Sequence, residues 1–203
     1  LIHPLGDWVL ETACRQAAQW TDNGTPVRVS VNLSAQQFRQ AQLPLRLQQL
    51  LAQYGTLAEL IELEITETEA MADPDATQQV FAKLCDLGLS IALDDFGTGY
   101  SSLSYLRRLP VSRLKIDREF IRQVTHNDND AVLVRAVIAM AHTLGLPVVA
   151  EGVETAAQLA FLRSNGCESY QGWWFAKALP AADIARMLGS ASGPMALEQR
   201  CLS

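Results

Sequence analysis

Histidine and cysteine are scarce in this chain and neither is clustered, with 3 His and 4 Cys in 203 residues. Cys14, Cys85, Cys167 and Cys201 stand far apart without a CxxC pair, which excludes a zinc ribbon and a disulfide framework and fits a reducing, cytoplasmic setting. His3, His126 and His142 match no ligand or catalytic spacing and are read as surface or helix residues. Basic residues are also in deficit, 16 against 22 acids, for a formal net charge of -6. Nonspecific affinity for DNA needs clustered Lys and Arg, so DNA is not an expected partner, and an anionic substrate needs a cation to bridge it. No uncharged apolar run has the length of a membrane span, and 1–10 contains His3 and Asp7 with no basic start. Neither direct membrane insertion nor secretion is therefore expected of this segment. The opening LIHPLG lacks an initiator Met and reads as cut from something longer, whose other domains can supply a membrane tether.

What is present is an ordinary globular composition, 49% hydrophobic and 19% charged, which suits one domain whose segments share a core. Short β-like runs at 27–33, 61–66, 90–95, 113–117, 147–151 and 169–175 alternate with helix-length stretches. Those stretches carry apolar residues at helical spacing, as in Trp8, Val9, Ala13 and Ala17, or Val132, Val134, Val137, Ile138 and Ala141. Gly88 stops the helix before Ser90, and Gly145 followed by Pro147 stops the one before Val148. Strand, helix, strand in repetition implies an α/β architecture with a parallel sheet. No linker interrupts it, so one domain is expected over 1–189, followed by a C-terminal tail over 190–203.

The face pattern narrows the choice. Val27, Val29, Val31 and Leu33 oppose Arg28, Ser30 and Asn32, while Ile61, Leu63 and Ile65 oppose Glu62, Glu64 and Thr66. Leu114 and Ile116 likewise oppose Arg113, Lys115 and Asp117. A sheet with one solvated face would look like this, but it suits antiparallel strands; crossover helices cover both faces of an open parallel sheet and make its strands apolar throughout. A barrel points the polar set inward and places chemistry at the mouth, where the strands end. Every strand here ends in a functional side chain: Asn32, Glu64 with Glu67, Asp94 with Asp95, Lys115 with Asp117, Glu151 with Glu154, and Gln171. A TIM-like (β/α) barrel has eight strands in about 250 residues, so this chain shows six of the eight and lacks the first two. Taken alone, Lys115 and Asp117 would equally suit an inward salt bridge that only fills the barrel.

At these strand ends the chain closely resembles the EAL domain family from Leu1 to about Gly189. The resemblance rests on VNLS at 31–34, LEITET at 63–68, DDFGTGYSSLSYL at 94–106, LKID at 114–117, AEGVET at 150–155 and QGWWF at 171–175. It implies a barrel that hydrolyses one phosphodiester of cyclic di-GMP to linear pGpG, lowering the level of a bacterial second messenger. By position, Asn32, Glu64 and Asp94 match family metal ligands, and Asp95 and Glu151 match ligands of a second ion. Lys115 matches the lysine beside the attacking water, so Lys115, Glu151 and Glu67 form the expected catalytic set. Glu67 corresponds to the acid that holds the DDFGTG loop, accepting from N–H or hydroxyl groups at 97–102. Gln171 and Asp117 are the expected substrate-side groups, and a homodimer is the expected assembly.

The residues support a hard divalent ion independently of the resemblance. Asp, Glu and Asn offer oxygen ligands, which select Mg²⁺ or Mn²⁺ over the ions that Cys and His hold. Two such ions about 3.5–4 Å apart clamp the attacking and leaving oxygens of an in-line displacement and offset the charge of an anionic substrate. Asp94 and Asp95 are adjacent, so both reach one centre only if the strand ends there, with Gly97 and Gly99 giving the turn its freedom and Ser101, Ser102 and Ser104 making the next segment an adaptable gate. Trp173 and Trp174 can stack on guanine, though barrel packing is expected of at least one. The family has Tyr where this chain has Trp173 and Pro where it has Ala178, and its Glu-Ala-Leu signature, with one metal-ligating glutamate, falls upstream of Leu1. A degenerate EAL domain that binds cyclic di-GMP or a protein without hydrolysis is the rival reading. A purely structural or dimerising module is the third, prompted by the apolar and basic residues of 103–109.

Overall fold

The aliphatic and polar alternation becomes a sheet of six parallel strands in the computed structural model, which describes residues 2–98 and 103–190. The strands are β1 (Val29–Asn32), β2 (Ile61–Thr66), β3 (Ser90–Phe96), β4 (Arg113–Ile116), β5 (Val148–Ala150) and β6 (Ser169–Tyr170), and their order in the sheet is their order in the chain. Each connection between parallel neighbours carries helix, as parallel pairing requires. In chain order the helices are α1 (Ile2–Asp22), α2 (Ala35–Phe38), α3 (Leu43–Tyr54), α4 (Glu67–Met71), α5 (Pro74–Asp86), α6 (Leu103–Leu106), α7 (Arg118–Gln123), α8 (Asp128–Thr143), α9 (Ala156–Ser164) and α10 (Ala181–Ser190). The result is a half-barrel of the expected TIM-like kind, with β1 and β6 at its edges. The tail residues 191–203 and the loop residues Gly99 to Ser102 lie outside the described residues.

The core sits between the strands' aliphatic face and the helices. Val31, Leu63, Ile65, Ile91, Leu93, Leu114, Ile116 and Val148 are all buried there. Phe81 of α5 is fully buried and meets Phe38 of α2 edge-on, 5.5 Å between centroids, which ties two crossovers together. Truncating a phenylalanine so placed costs about 3–5 kcal/mol. Two helical stripes differ from expectation by one position each. On α1 the buried stripe is Leu10, Ala13, Cys14 and Ala17, with Trp8 exposed, and on α8 it is Ala131, Val134, Val137, Ile138 and Ala141, with Val132 exposed. In both cases spacing identified the helix correctly, but a large apolar residue at the stripe's margin was replaced by a smaller one on its axis.

Local signals explain the boundaries. Ser34 and Gln37 cap α2 reciprocally, Thr155 and Gln158 do so for α9, and Asp73 caps α5 just before Pro74. Gly88 and Gly145 take φ values of 85° and 71° at the stops anticipated for them. β6 is much shorter than the 169–175 run, because Gln171 accepts the Val153 N–H and the chain then turns back so that Trp174 N–H reaches Val153 O. Trp173 and Trp174 therefore leave the sheet and are exposed, so neither packs the barrel. The 103–109 segment also departs from expectation: Leu106 and Leu109 turn inward and are buried, leaving Arg107 and Arg108 on the surface.

Candidate active site

Parallel register sets Asn32 beside Glu64, Thr66 beside Asp94, Lys115 beside Val149 and Val149 beside Ser169. Counting in twos along each strand, Asn32, Glu64, Asp94, Lys115, Glu151 and Gln171 share the inward face at the C-terminal ends. Asn32 is exposed there, whereas Glu64, Asp94 and Lys115 are buried.

Lys115 is the centre of the arrangement. Its Nζ lies 2.8 Å from Glu64 Oε2, 3.1 Å from Asp94 Oδ1 and 2.5 Å from Glu151 Oε1. Burial works against its charge, yet the bonds from Glu151 and Glu64 hold it above the ordinary lysine value. Glu151 is pushed upward by burial, against the opposing pull of Lys115. Gln171 Nε2 also donates to Glu151 Oε1 at 2.9 Å, so this carboxylate is oriented from two strands. Asp117, the alternative partner for Lys115, instead caps α7 by accepting the Glu119 N–H at 2.6 Å. The simple inward pair of Lys115 with Asp117 is thus replaced by a four-membered cluster.

Asp95 joins the cluster by a route the sequence did not show. β3 does not end at Asp94 but runs on to Phe96, and its register against β4 slips between Leu93 and Phe96. Asp95 takes φ 52°, the one non-glycine residue at positive φ among those described. A left-handed residue in a bulge swings two successive side chains to one side of the strand, which alternation alone forbids. The bend is held by Asp94 Oδ1, which accepts the Asp95 N–H at 3.0 Å, and by Thr98 Oγ1, which donates to Asp95 O at 2.8 Å. Asp94, Asp95 and Glu151 each bring a carboxylate oxygen within 4.8 Å of the others. Burial, the neighbouring Asp94 and a hydrogen bond with Asp117 push the Asp95 carboxyl up to about 6.

Glu67 is almost fully buried and its Oε2 accepts the Gly97 N–H at 2.8 Å, tying α4 to the start of the DDFGTG loop. Two features were not among the expected site residues, although the first lies on the polar strand face the sequence showed. Below the cluster, Glu62 is buried against Arg113 at 2.9 Å and Arg28 at 3.8 Å and accepts from Ser30 at 3.0 Å, so a second polar layer plugs the half-barrel under the mouth. Glu69, on the far side of α4 from Glu67, accepts the Ala35 N–H at 2.8 Å.

Residues 1–178 match the EAL domain family. The chain belongs to that family. It is 46% identical over 185 residues to the bifunctional diguanylate cyclase/cyclic di-GMP phosphodiesterase MucR of Pseudomonas aeruginosa, across 91% of this chain and 27% of MucR. Identity to the cyclic di-GMP phosphodiesterase NbdA of the same organism is also 46%, over 189 residues that make up 93% of this chain and 24% of NbdA. The structure of the PaMucR phosphodiesterase in complex with c-di-GMP superposes with a TM-score of 0.88 at 46% identity, covering 90% of this chain and 74% of that one. The EAL domain of Mycobacterium smegmatis DcpA gives 0.86 at 37% identity, covering 94% and 86%. The chain spans about a quarter of the length of these two curated relatives.

The mouth of this EAL domain has the chemistry of a hard-cation site. Glu64, Asp94, Asp95 and Glu151 contribute four carboxylates against the single ammonium of Lys115, a clear formal excess of negative charge. Crowding of that kind in a half-buried site calls for a further cation, and all-oxygen donors match Mg²⁺-type ions. The acidic group can hold a metal. Among the described residues no helix is long and apolar enough to cross a membrane.

Proposed function

We propose that this EAL domain is a metal-dependent phosphodiesterase that hydrolyses cyclic di-GMP to linear pGpG. The observation that carries the reading is Lys115 gripped by Glu64, Asp94 and Glu151 at the strand ends, with Asp95 bent into the same group. The cyclic di-GMP named in the solved MucR complex supports the substrate assignment. Asn32, Glu64, Asp94, Asp95 and Glu151 would hold Mg²⁺ or Mn²⁺, in a two-ion site. When bound, such ions supply Lewis-acid activation of water and of the phosphodiester at neutral pH.

The chain's own residues do the rest. Lys115 presents a fixed cation where charge develops on the phosphoryl oxygens, already oriented by three carboxylates so that little reorganisation accompanies the reaction. Glu151, held at Oε1 by Lys115 and Gln171, keeps its aim toward the mouth. Glu67 steadies the Asp95 bulge through Gly97. We assign Gln171 and Asp117 to the substrate side, and exposed Trp173 and Trp174 lie just beyond Gln171. We assign the domain to 1–189 with a tail over 190–203, a cytoplasmic setting in keeping with the free thiols of Cys14, Cys85 and Cys167, and a homodimeric assembly.

The test is turnover of cyclic di-GMP by the whole protein that carries this chain, followed by chromatography of the nucleotide products. Production of pGpG with Mg²⁺ or Mn²⁺ and its loss in excess chelator are expected. Nucleotide binding without turnover at saturating metal would reject the catalytic reading and leave a receptor. Light scattering over a range of concentrations checks the dimer.

A further inference from the structure

The short helix α4 touches the loops on both sides of the strand it follows. It starts at Glu67 directly after β2, with Thr66 as its cap accepting the Glu69 N–H at 3.3 Å. Residues two apart on a helix lie about 200° apart around its axis, so the side chains of Glu67 and Glu69 leave toward opposite neighbours. Glu67 Oε2 takes the Gly97 N–H after the Asp94–Asp95 pair, and Glu69 Oε1 takes the Ala35 N–H after Asn32, each at 2.8 Å.

The Ala35 N–H has a particular need of that partner. It belongs to the first residue of α2, one of the donors a helix cannot satisfy internally. The reciprocal cap of Ser34 and Gln37 engages the amides of those two residues, and the Ala35 amide goes to Glu69, 34 residues away. The chain just past Asn32 is thus fastened twice, by Leu33 N–H to Glu64 O at 2.9 Å and by Ala35 N–H to Glu69. The other oxygen of Glu69 is shut away from solvent without a hydrogen-bond partner among the described residues. That burial is unfavourable, and an acid serving only to solvate the surface would avoid it.

We infer that Glu69 is a positioning residue that aims Asn32 at the mouth by holding the Ala35 amide. With Glu67 it makes α4 a two-sided brace, one arm for the β1 end and one for the β3 end. The inference rests on the metal-dependent reading above, because its effect is read on the ion that Asn32 would help to hold.

The experiment is Mn²⁺ titration calorimetry on the whole protein as parent, Glu69→Ala, Glu69→Gln, Asn32→Ala and the double variant Asn32→Ala with Glu69→Ala. Partners that orient a ligand typically contribute ~10-fold or more in metal affinity, and a loss of that size is expected for Glu69→Ala. Glu69→Gln keeps a carbonyl acceptor for the Ala35 N–H and stays close to the parent. The double variant binds no worse than Asn32→Ala alone, because Glu69 acts through Asn32. Hydrogen exchange at the Ala35 amide accelerates in Glu69→Ala. Unchanged Mn²⁺ affinity in Glu69→Ala, or an equal further loss in the Asn32→Ala background, overturns the inference. If Glu69→Ala does not fold, Glu69→Met fills the space without an acceptor and carries the same expectations. Failure of both to fold makes the residue structural and overturns the positioning role. A parent that binds no Mn²⁺ overturns this inference and the metal-dependent reading together. A parent that shows the expected Mn²⁺ effects but no hydrolysis overturns only the proposed function.

Discussion

Replacing Lys115 by methionine keeps most of the side chain's volume and removes the ammonium that three carboxylates share. The Lys115 side chain is 4% exposed and those of Glu64, Asp94 and Glu151 are 7%, 10% and 16% exposed, so solvent screening is weak at every member. The substitution abolishes contacts of 2.8, 3.1 and 2.5 Å and leaves the acids facing one another. Removing one partner of a buried pair costs about 3–5 kcal/mol, because the remaining charge stays desolvated. For a chain of this size each kcal/mol moves the melting temperature by about 2–4 °C, so a fall of ~6–20 °C is expected in chelator. Binding at 100 times the dissociation constant stabilises by about 2.7 kcal/mol, so excess Mn²⁺ should return a large part of that loss. On the proposed mechanism turnover should not return with it, since Lys115 is the cation assigned to the reacting phosphoryl group. Thermal unfolding of parent and Lys115→Met, each with chelator and with excess Mn²⁺, makes the comparison. A fall below about 2 °C in chelator would show that the acids do not depend on Lys115, and the electrostatic account of the mouth would fail.

Glu67→Gln weakens the charge-assisted bond to Gly97, so turnover should fall ~10-fold or more while Mn²⁺ still binds; wild-type turnover would remove the loop-anchoring role. A Cβ on Gly172 would lie 2.2 Å from Val153 O, whereas one on Gly145 meets nothing within 4 Å. Gly172→Ala should therefore destabilise clearly more than Gly145→Ala, whose effect of about 1 kcal/mol reflects backbone strain alone, and equal denaturant midpoints would contradict the close approach. Burial raises the Glu168 pKa, but hydrogen bonds from Val148 N–H and its own amide and the contact with His142 outweigh it, so the folded value lies below the ordinary one. Stability from Glu168 is then present above the unfolded pKa and lost as pH falls through the folded one. Glu168→Gln should flatten the decline of the melting temperature below about pH 4.3, and an unchanged acid limb would argue against the contact.

The barrel was legible because two independent patterns agreed. Alternating strands and helices forced parallel pairing, and parallel strands with a polar face have few homes other than a barrel interior. Residues on that face were therefore placed correctly from Asn32 to Gln171. Their partners were not legible, because alternation gives the face of a side chain but not its height along the neighbouring strand. Lys115 reaches Glu64 two strands away, across β3. The bend at Asp95 was hidden for a related reason: Gly97 turns as its placement suggested, at φ 101°, but the bend begins two residues earlier, at the aspartate itself with φ 52°. Stripe membership on α1 and α8 was misjudged by one residue each: Trp8 and Val132 are exposed, and Leu10 and Ala131 hold the positions that geometry buries.

The geometry of the mouth also bears on how one lysine and the proposed ions would share the same acids. Lys115 engages a single oxygen of each partner, Glu64 Oε2, Asp94 Oδ1 and Glu151 Oε1. Gln171 uses that same Glu151 oxygen, and the Asp95 N–H uses that same Asp94 oxygen. The chain's own donors thus converge on one side of the carboxylate ring. Each of these carboxylates has a second oxygen, and a carboxylate can accept at both, so it can bridge to a cation without releasing its first partner. On the proposed reading, an ion bound here would add to the surroundings of Lys115 without displacing it. The proposed function would then let an acidic chain with a net charge of -6 meet an anionic phosphodiester through a few fixed positive charges inside a ring of acids, with no need for a basic surface.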